Sequence, residues 1–398
     1  MNRGPWHQCG DKSQRLVLEQ LEHGVGTGVI LSPRDLAFHN AVDYAGQYRN
    51  LGAAVLLDSQ FYVPDFINAN LTSYPLTDHR VEISTLYQIS DAVLDTLSEN
   101  LEQVSRDIGV SAVIAPAVIY QAARADIVQL NAKLFNAAKR VGDSLGVPTY
   151  ATAVLGQSVT GSTQTLAPML SQVTALTADG WYFAFEFDAE RVPSDRAAVE
   201  RAGGAILTLA CTGKPVLHAY AGPLSLLSFG FGATGAGIGH SQNTWRFAPE
   251  RWQPSTGGGG GGAPPRFFST NLWGTIIYPD ETVRLPGALA SAVITHSPFS
   301  TPVGQTPPLD WGRWEANKHL VFLQGQTADR IGRLMDPRAA AQEAIQVLNT
   351  AITLHGQIAA AGIQLSDSTN SYQANWLAAL NDTMANAAND YDYLELMR

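Results

Sequence analysis

The chain has 398 residues, 45% of them hydrophobic and only 15% charged, the balance of a folded protein with a large core. A formal charge of -10 argues against a nucleic-acid binder that presents a basic face. The two cysteines, Cys9 and Cys211, are too few and too far apart for a disulfide framework or a cysteine zinc site.

Met1 to Arg15 holds no apolar signal-type run, and no stretch approaches the ~18 apolar residues of a membrane span. A soluble, cytoplasmic protein without membrane contact is expected. Lys12 to His23 has helical spacing, with Leu16, Leu18 and Leu21 near one face, and Gly24 to Gly28 ends it. Val29 to Leu31 reads as a short buried strand and Leu36 to Asn50 as a helix stopped at Gly52. A second strand, Ala53 to Leu57, leads into Asp58-Ser59-Gln60-Phe61-Tyr62, and a loop holding Asp78, His79 and Arg80 runs to about Glu82. The alternation then repeats: helix 83–108, strand 112–117, helix 125–145, strand 149–155 ending in Gly156-Gln157, helix 165–178, strand 181–187 containing Glu186, and helix 195–212.

Val216 to Tyr220 is β-prone and breaks at Ala221-Gly222-Pro223. A short apolar helix, Leu224 to Phe231, precedes Gly232 to Gly239, a window whose small residues would let a ring or a phosphate approach the backbone. A tightly packed barrel strand at a crowded corner explains the same window. Gly257 to Gly262 is a low-complexity loop, Asn271 to Tyr278 could supply a last strand, and from Trp311 onward the pattern is all helix.

Strand–helix alternation with seven or eight repeats predicts an α/β fold, a (β/α)8 TIM-like barrel over 1–300. It carries a glycine-rich insertion near 254–265 and an all-helical C-terminal extension over 311–398, packed on the barrel or on a partner subunit. Reactive groups of such a barrel sit where strands end, which selects Asp35, Asp58, Tyr62, Gln157, Glu186, Asp188, Tyr220, His240 and Asn243. Asp58, after five apolar residues, is the leading catalytic candidate: a partly desolvated carboxylate there can act as a base or accept ring N–H groups. An Asp capping the turn before Phe61 is the plainer account. Glu186, alternating with Phe183, Phe185 and Phe187, is the second catalytic candidate, or else an arginine partner. Gln157 could read one edge of a heterocycle; His218, in mid-strand, reads as a core histidine.

No lysine falls at a strand's C-terminal end, no His-x-His follows the first strand and no GxSxG is present. These facts argue against a Schiff-base aldolase, a metal-dependent hydrolase barrel and an elbow-type hydrolase. Neither a metal nor a cofactor is expected.

With these residues in view, the chain resembles the tRNA-guanine transglycosylase family, a (β/α)8 barrel that exchanges guanine for a 7-deazaguanine-type base in nucleic acid. LLDSQFYVPDF, Leu56 to Phe66, resembles the family strand ending in Asp-Ser-Gly-Gly and an aromatic residue. AVLGQS, Ala153 to Ser158, is similar to the glutamine-glycine strand end, GWYFAFEF, Gly180 to Phe187, to the base-contacting strand, and HAYAGPLSLLSFGFGATGAG to the segment that follows. The resemblance implies that Asp58 and Ser59 hold the base, Tyr62 stacks on it and Gln157 contacts its edge. Tyr220, His240 and Asn243 would line the site, and Gly235, Gly237 and Gly239 would admit the sugar or phosphate. The chain departs from the family in three ways. Glycine, near Gly237, stands where the nucleophilic aspartate belongs, Gln60-Phe61 replaces Gly-Gly, and the zinc ligands are missing between Pro308 and Leu320.

Three expectations stay open. One is a transglycosylase-like enzyme acting on a purine-like base or nucleotide, with Asp58 or an activated water as nucleophile. The second is a catalytically inactive nucleobase-binding subunit that meets nucleic acid through a partner protein. The third is an unrelated phosphate-binding barrel lyase or isomerase. The helical tail could also form a homodimer surface. Large aromatic side chains plugging the barrel mouth would sink any small-ligand site.

Overall fold

The protein is described by a computed structural model, and the structure describes residues 1–86, 89–121, 124–188, 192–253, 264–301, 303, 311–366 and 371–387. Eight parallel strands form one sheet: β1 (Gly4–Gln8), β2 (Gly28–Leu31), β3 (Ala54–Leu57), β4 (Val113–Ile114), β5 (Thr149–Leu155), β6 (Gly180–Phe185), β7 (Val216–His218) and β8 (Gly235–Ile238). Their order is β3-β2-β1-β8-β7-β6-β5-β4. The ring is drawn shut between β3 and β4 by Val55, which accepts from Ser111 N at 2.8 Å and donates its own N–H to Ser111 Oγ at 3.1 Å. The fold is therefore the (β/α)8 barrel that the alternation predicted.

Strand β1 carries the register of both neighbours, Trp6 opposite Gly28 on one side and Gly237 on the other, yet the sequence pattern had missed it. Its residues, Gly-Pro-Trp-His-Gln, offer one large apolar side chain and no alternation. In the barrel all five are buried. The Trp6 indole fills the interior where β2 and β8 supply only hydrogen: a Cβ on Gly28 would meet the ring at 2.3 Å, and one on Gly235 at 2.8 Å. Large-against-small matching of this kind lets a narrow barrel close at interior density.

The expected last strand near Asn271–Tyr278 is not in the barrel. β9 (Arg266–Ser269) and β10 (Gly274–Ile277) form a separate antiparallel hairpin. Both edges of β8 are already taken, by β1 and β7, so no edge is left for another strand there. Of the glycine-rich insertion expected near 254–265, residues 254–263 lie outside the described residues.

Helix Arg313–Gly332, within the segment expected as an extension, lies against β1 and β8. A Cβ on Gly332 would come within 3.1 Å of the Gly4 Cα, and one on Gly325 within 2.3 Å of Val25. It serves as the barrel's closing helix. Helices Pro337–Ala360 and Ser371–Ala387 pack beyond it. The second lies along helix Arg196–Ala210, where Trp376 Nε1 donates to Pro193 O at 2.6 Å and Asn375 to Ser194 O at 2.8 Å. Among the described residues no helix is long and apolar enough to cross a membrane.

Candidate functional site at the barrel mouth

β3 ends at Leu57, and the next residue is Asp58, fully buried at the C-terminal end of the barrel. Its carboxylate accepts four hydrogen bonds. Tyr62 Oη (2.6 Å) and Gln60 N (3.1 Å) meet Oδ1; Tyr182 Oη (2.9 Å) and Tyr220 Oη (3.0 Å) meet Oδ2. The three phenols come from the loop after β3, from inward-facing β6 and from the end of β7, so the cluster exists only when the barrel closes. A carboxylate has about four lone-pair positions, and here all are in use.

Burial raises the Asp58 pKa above the ordinary carboxylate range, and the hydrogen bonds from Tyr62, Tyr182, Tyr220 and Gln60 N oppose that rise. Burial, with Asp58 adding to it, pushes all three phenols well above their ordinary value. The phenols therefore stay neutral donors. Arg80 supplies the nearby positive charge. Its guanidinium donates to Ser59 O (3.1 Å), Gln60 O (2.8 Å) and Val63 O (3.2 Å), and lies 5.0 Å above the Phe61 ring. Burial draws the Arg80 pKa down to about 10, against the pull of Asp58 and Asp65.

A polar chain runs outward from the cluster. Gln60 Nε2 donates to Tyr220 Oη at 3.1 Å while its Oε1 accepts from Arg34 N at 3.2 Å. Ser32 Oγ contacts Gln60 and donates to Asp35 Oδ2 at 2.8 Å. Asp35 holds two arginines, Arg34 at 2.6 Å and Arg251 at 2.9 Å. Gln60 (φ +57°) and Tyr220 (φ +52°) both sit in the left-handed region, a conformation that costs a non-glycine residue about 1–2 kcal/mol. Strain of this sort clusters at functional sites.

The segment after β8 closes over this end. Phe247 and Trp252 meet the Tyr62 ring edge-on at 5.3 and 5.4 Å and lie against Tyr220 at 5.7 and 6.3 Å. Arg251 stands 5.6 Å above Tyr220 and 5.4 Å above Trp252. Arg34 Nε donates to Arg251 O at 2.8 Å, so Arg34 and Asp35 together latch the segment. Large aromatics thus fill the mouth, the arrangement that counts against a small-ligand site unless the 245–252 segment moves. Several buried polar atoms beneath and within the closure nevertheless lack any hydrogen-bond partner: both amide atoms of Gln8, Nε and Nη1 of Arg251, Trp252 Nε1 and His240 Nδ1.

The site residues expected from the sequence fall into two groups. Asp58, Ser59, Tyr62 and Tyr220 come together. Tyr62, expected to offer its ring face, instead turns its hydroxyl to Asp58 and its ring to Phe247 and Trp252. Glu186 and Gln157 form a separate pair on the rim, where Gln157 N donates to Glu186 Oε2 at 2.7 Å and the Gln157 side chain is exposed. Burial raises the Glu186 pKa, opposed by the Gln157 N–H and helped by Glu250.

Gly235, Gly237 and Gly239 do not front an open cradle. Their Cβ positions point at Trp6 and Leu217, at the Tyr220 backbone and Gln8, and at Thr244. Phosphate could reach this backbone only after those groups moved. His240 is half-buried, its pKa lowered to about 4 by burial, and Asn243 is exposed. His218 is the core histidine expected, 2.8 Å from Ser228 Oγ. No group of three or more potential metal ligands occurs among the described residues.

Gln8, Gln60, Tyr182, Arg251 and Trp252 were not singled out from the sequence. Tyr182 could have been, since it alternates with the outward Phe183; the others needed the closed barrel.

No family model and no curated protein matches the chain. Solved structures similar to it include the 3-dehydroquinate dehydratase of Aquifex aeolicus, 11% identical over 63% of this chain and 95% of that one, at a TM-score of 0.36. Another is the spore cortex-lytic enzyme SleL of Bacillus megaterium, 10% identical over 54% of this chain and 50% of that one, at a TM-score of 0.35.

Proposed function

We propose that this (β/α)8 barrel binds a planar nitrogen heterocycle of the nucleobase class at its C-terminal mouth. The Phe247 and Trp252 rings of the 245–252 segment stand at that place, and a ligand would enter by displacing them. The observation that carries this is the set of buried, unpaired polar groups on Gln8, Arg251 and Trp252 beside the Asp58–tyrosine cluster. Unpaired buried groups are destabilising unless a ligand or water meets them, and they lie where barrels of this class carry their chemistry. The rings of Phe247 and Trp252 stand against the Tyr62 and Tyr220 rings, an aromatic surround that suits a planar ligand. Asp58, with its lone pairs filled, would orient the phenols and would take a ring N–H only by releasing one of them. The likeness to base-exchanging transglycosylases in the order of Asp58, Ser59, Tyr62 and the β8 segment supports the same ligand class.

A second reading, a barrel that binds its ring without transforming it, is favoured by one observation: the carboxylate at the centre has no free acceptor position.

Thermal-shift and calorimetric titration of the parent and of Trp252→Ala with guanine, 7-deazaguanine, adenine and sugar phosphates tests the proposal. Binding of rings, strengthened in Trp252→Ala, is the expected result. Sugar phosphates alone binding, or no ring binding to either protein, refutes it. Exchange of isotope-labelled base into a nucleoside or oligonucleotide separates the catalytic from the binding-only form.

A further inference from the structure

We propose that Gln8 reads the edge of the ring held at this mouth, pairing its amide with a neighbouring donor and acceptor on the ligand; this rests on the ring-binding function above. Gln8 is the last residue of β1 and faces the same way as Trp6, into the barrel. Its Oε1 lies 3.3 Å from the place where Gly237 would carry a Cβ, and that place is 3.0 Å from Tyr220 N. The side chain therefore stands one layer above the Trp6 indole, beside Tyr220.

Gln8 is 1% exposed, and neither its Nε2 nor its Oε1 has a hydrogen-bond partner among the described residues. The contrast with Gln60 is direct. That amide, equally buried at the same mouth, pairs with Arg34 N and Tyr220 Oη and contacts Ser32. In the closed barrel the Gln8 amide does nothing that a methionine of similar length would not do better, because each unpaired buried polar atom opposes folding. A primary amide presents one donor and one acceptor side by side. Its complement is a ring edge with the reverse arrangement, as in a lactam (N–H beside C=O) or an amidine edge (ring N beside NH2). Glycine at 237 lets the Gln8 amide sit close against the Ala219–Tyr220 backbone, where a Cβ would stand 3.3 Å from Ala219 Cα. Gln157, the edge reader expected from the sequence, has its side chain exposed on the rim; Gln8 is the amide that lies inside.

Calorimetric titration of the full chain with purine, hypoxanthine, adenine and 1-methylhypoxanthine tests this. Hypoxanthine or adenine, which have two-point edges, should bind at least about tenfold more tightly than purine, which lacks the exocyclic group. Hypoxanthine tightest assigns the lactam edge and adenine tightest the amidine edge. If hypoxanthine is the ligand, 1-methylhypoxanthine, which keeps the carbonyl and loses the N–H, should fall toward purine. In Gln8→Met the gap between two-point and one-point ligands should shrink below about threefold. A gap that survives Gln8→Met, or is absent in the parent, overturns the assignment and leaves Gln8 to a pair of ordered waters. The ligand series on the parent decides the matter even if Gln8→Met does not fold. Rings that bind without dependence on Gln8 sink only this inference, whereas no ring binding to the parent or to Trp252→Ala sinks the ring-binding function with it.

Discussion

The Asp58 cluster makes a quantitative prediction through Tyr182→Phe. The phenol donates to one acceptor, Asp58 Oδ2 at 2.9 Å, from a fully buried position, so the substitution removes one hydrogen bond and little volume. A bond to a charged acceptor contributes about 1.5–3 kcal/mol, a sizeable part of the ~5–15 kcal/mol that holds a domain folded. The loss should depend on pH with a definite sign. Burial raises the folded-state pKa of Asp58, so its contribution is fully present below the unfolded-state value and is lost as pH rises through the folded-state one. Removing a donor raises that pKa further. The gap between parent and variant should therefore be widest where the carboxyl is ionised in both and should narrow as pH falls and it protonates. Urea unfolding read by tryptophan fluorescence measures the gap, as a shift in midpoint at constant slope. Repeating the substitution in Asp58→Asn closes a double-mutant cycle. If Tyr182→Phe costs as much there as in the parent, the phenol contributes packing alone and the cluster is not an ionised carboxylate held by three donors.

Further outcomes follow from other buried groups. Burial lowers the pKa of His7 to about 4 and of His218 to about 3, so the unfolded chain takes up these protons first as pH falls below about 6.5. Between pH 7.5 and 5.5 each should subtract about 1.4 kcal/mol, about 3 kcal/mol together; a flat unfolding midpoint over that range would contradict their burial as neutral rings. Gly28→Ala and Gly235→Ala press on Trp6 from two sides and should each cost about 1–3 kcal/mol or more, read as a lower midpoint in urea. Arg80→Met removes the guanidinium donors from the Ser59, Gln60 and Val63 carbonyls and should make the 58–66 loop the first site of limited proteolysis; an unchanged cleavage pattern would show that the loop is held by Phe61 and Tyr62 alone.

The fold was legible because helix and strand periods alternate clearly from Val29 to Tyr220. What escaped was β1, whose polar His7 and Gln8 break the apolar pattern. Their burial is compensated only by neighbours distant in sequence or, for Gln8, by no neighbour at all. Asp58 could be found because five apolar residues deliver it to a strand end. Tyr62 and Tyr220 could also be found as strand-end residues, but the pairing was not legible, since Tyr182 and Tyr220 reach Asp58 across 124 and 162 residues of sequence. Gln60 illustrates the limit most sharply. Read locally it is one residue of a strand-end turn; in the barrel it links Tyr220 to Arg34 and, through Ser32, to Asp35.

The two left-handed residues at the mouth explain why this link is demanding. Gln60 and Tyr220 hydrogen-bond to each other at 3.1 Å, and each adopts a backbone angle that glycine would take without strain. Glycine at 220 would bring no phenol to Asp58 and glycine at 60 no amide to Tyr220, so the strain accompanies the side chains that build the cluster. The same end of the barrel holds the unpaired atoms of Gln8, Arg251 and Trp252, above the layer in which Trp6 packs between Gly28 and Gly235. Strain at Gln60 and Tyr220 beside unmet polar groups on Gln8, Arg251 and Trp252 is a combination that a preorganised binding site uses: the packed barrel fixes the geometry, and the mouth keeps interactions that a ligand can complete.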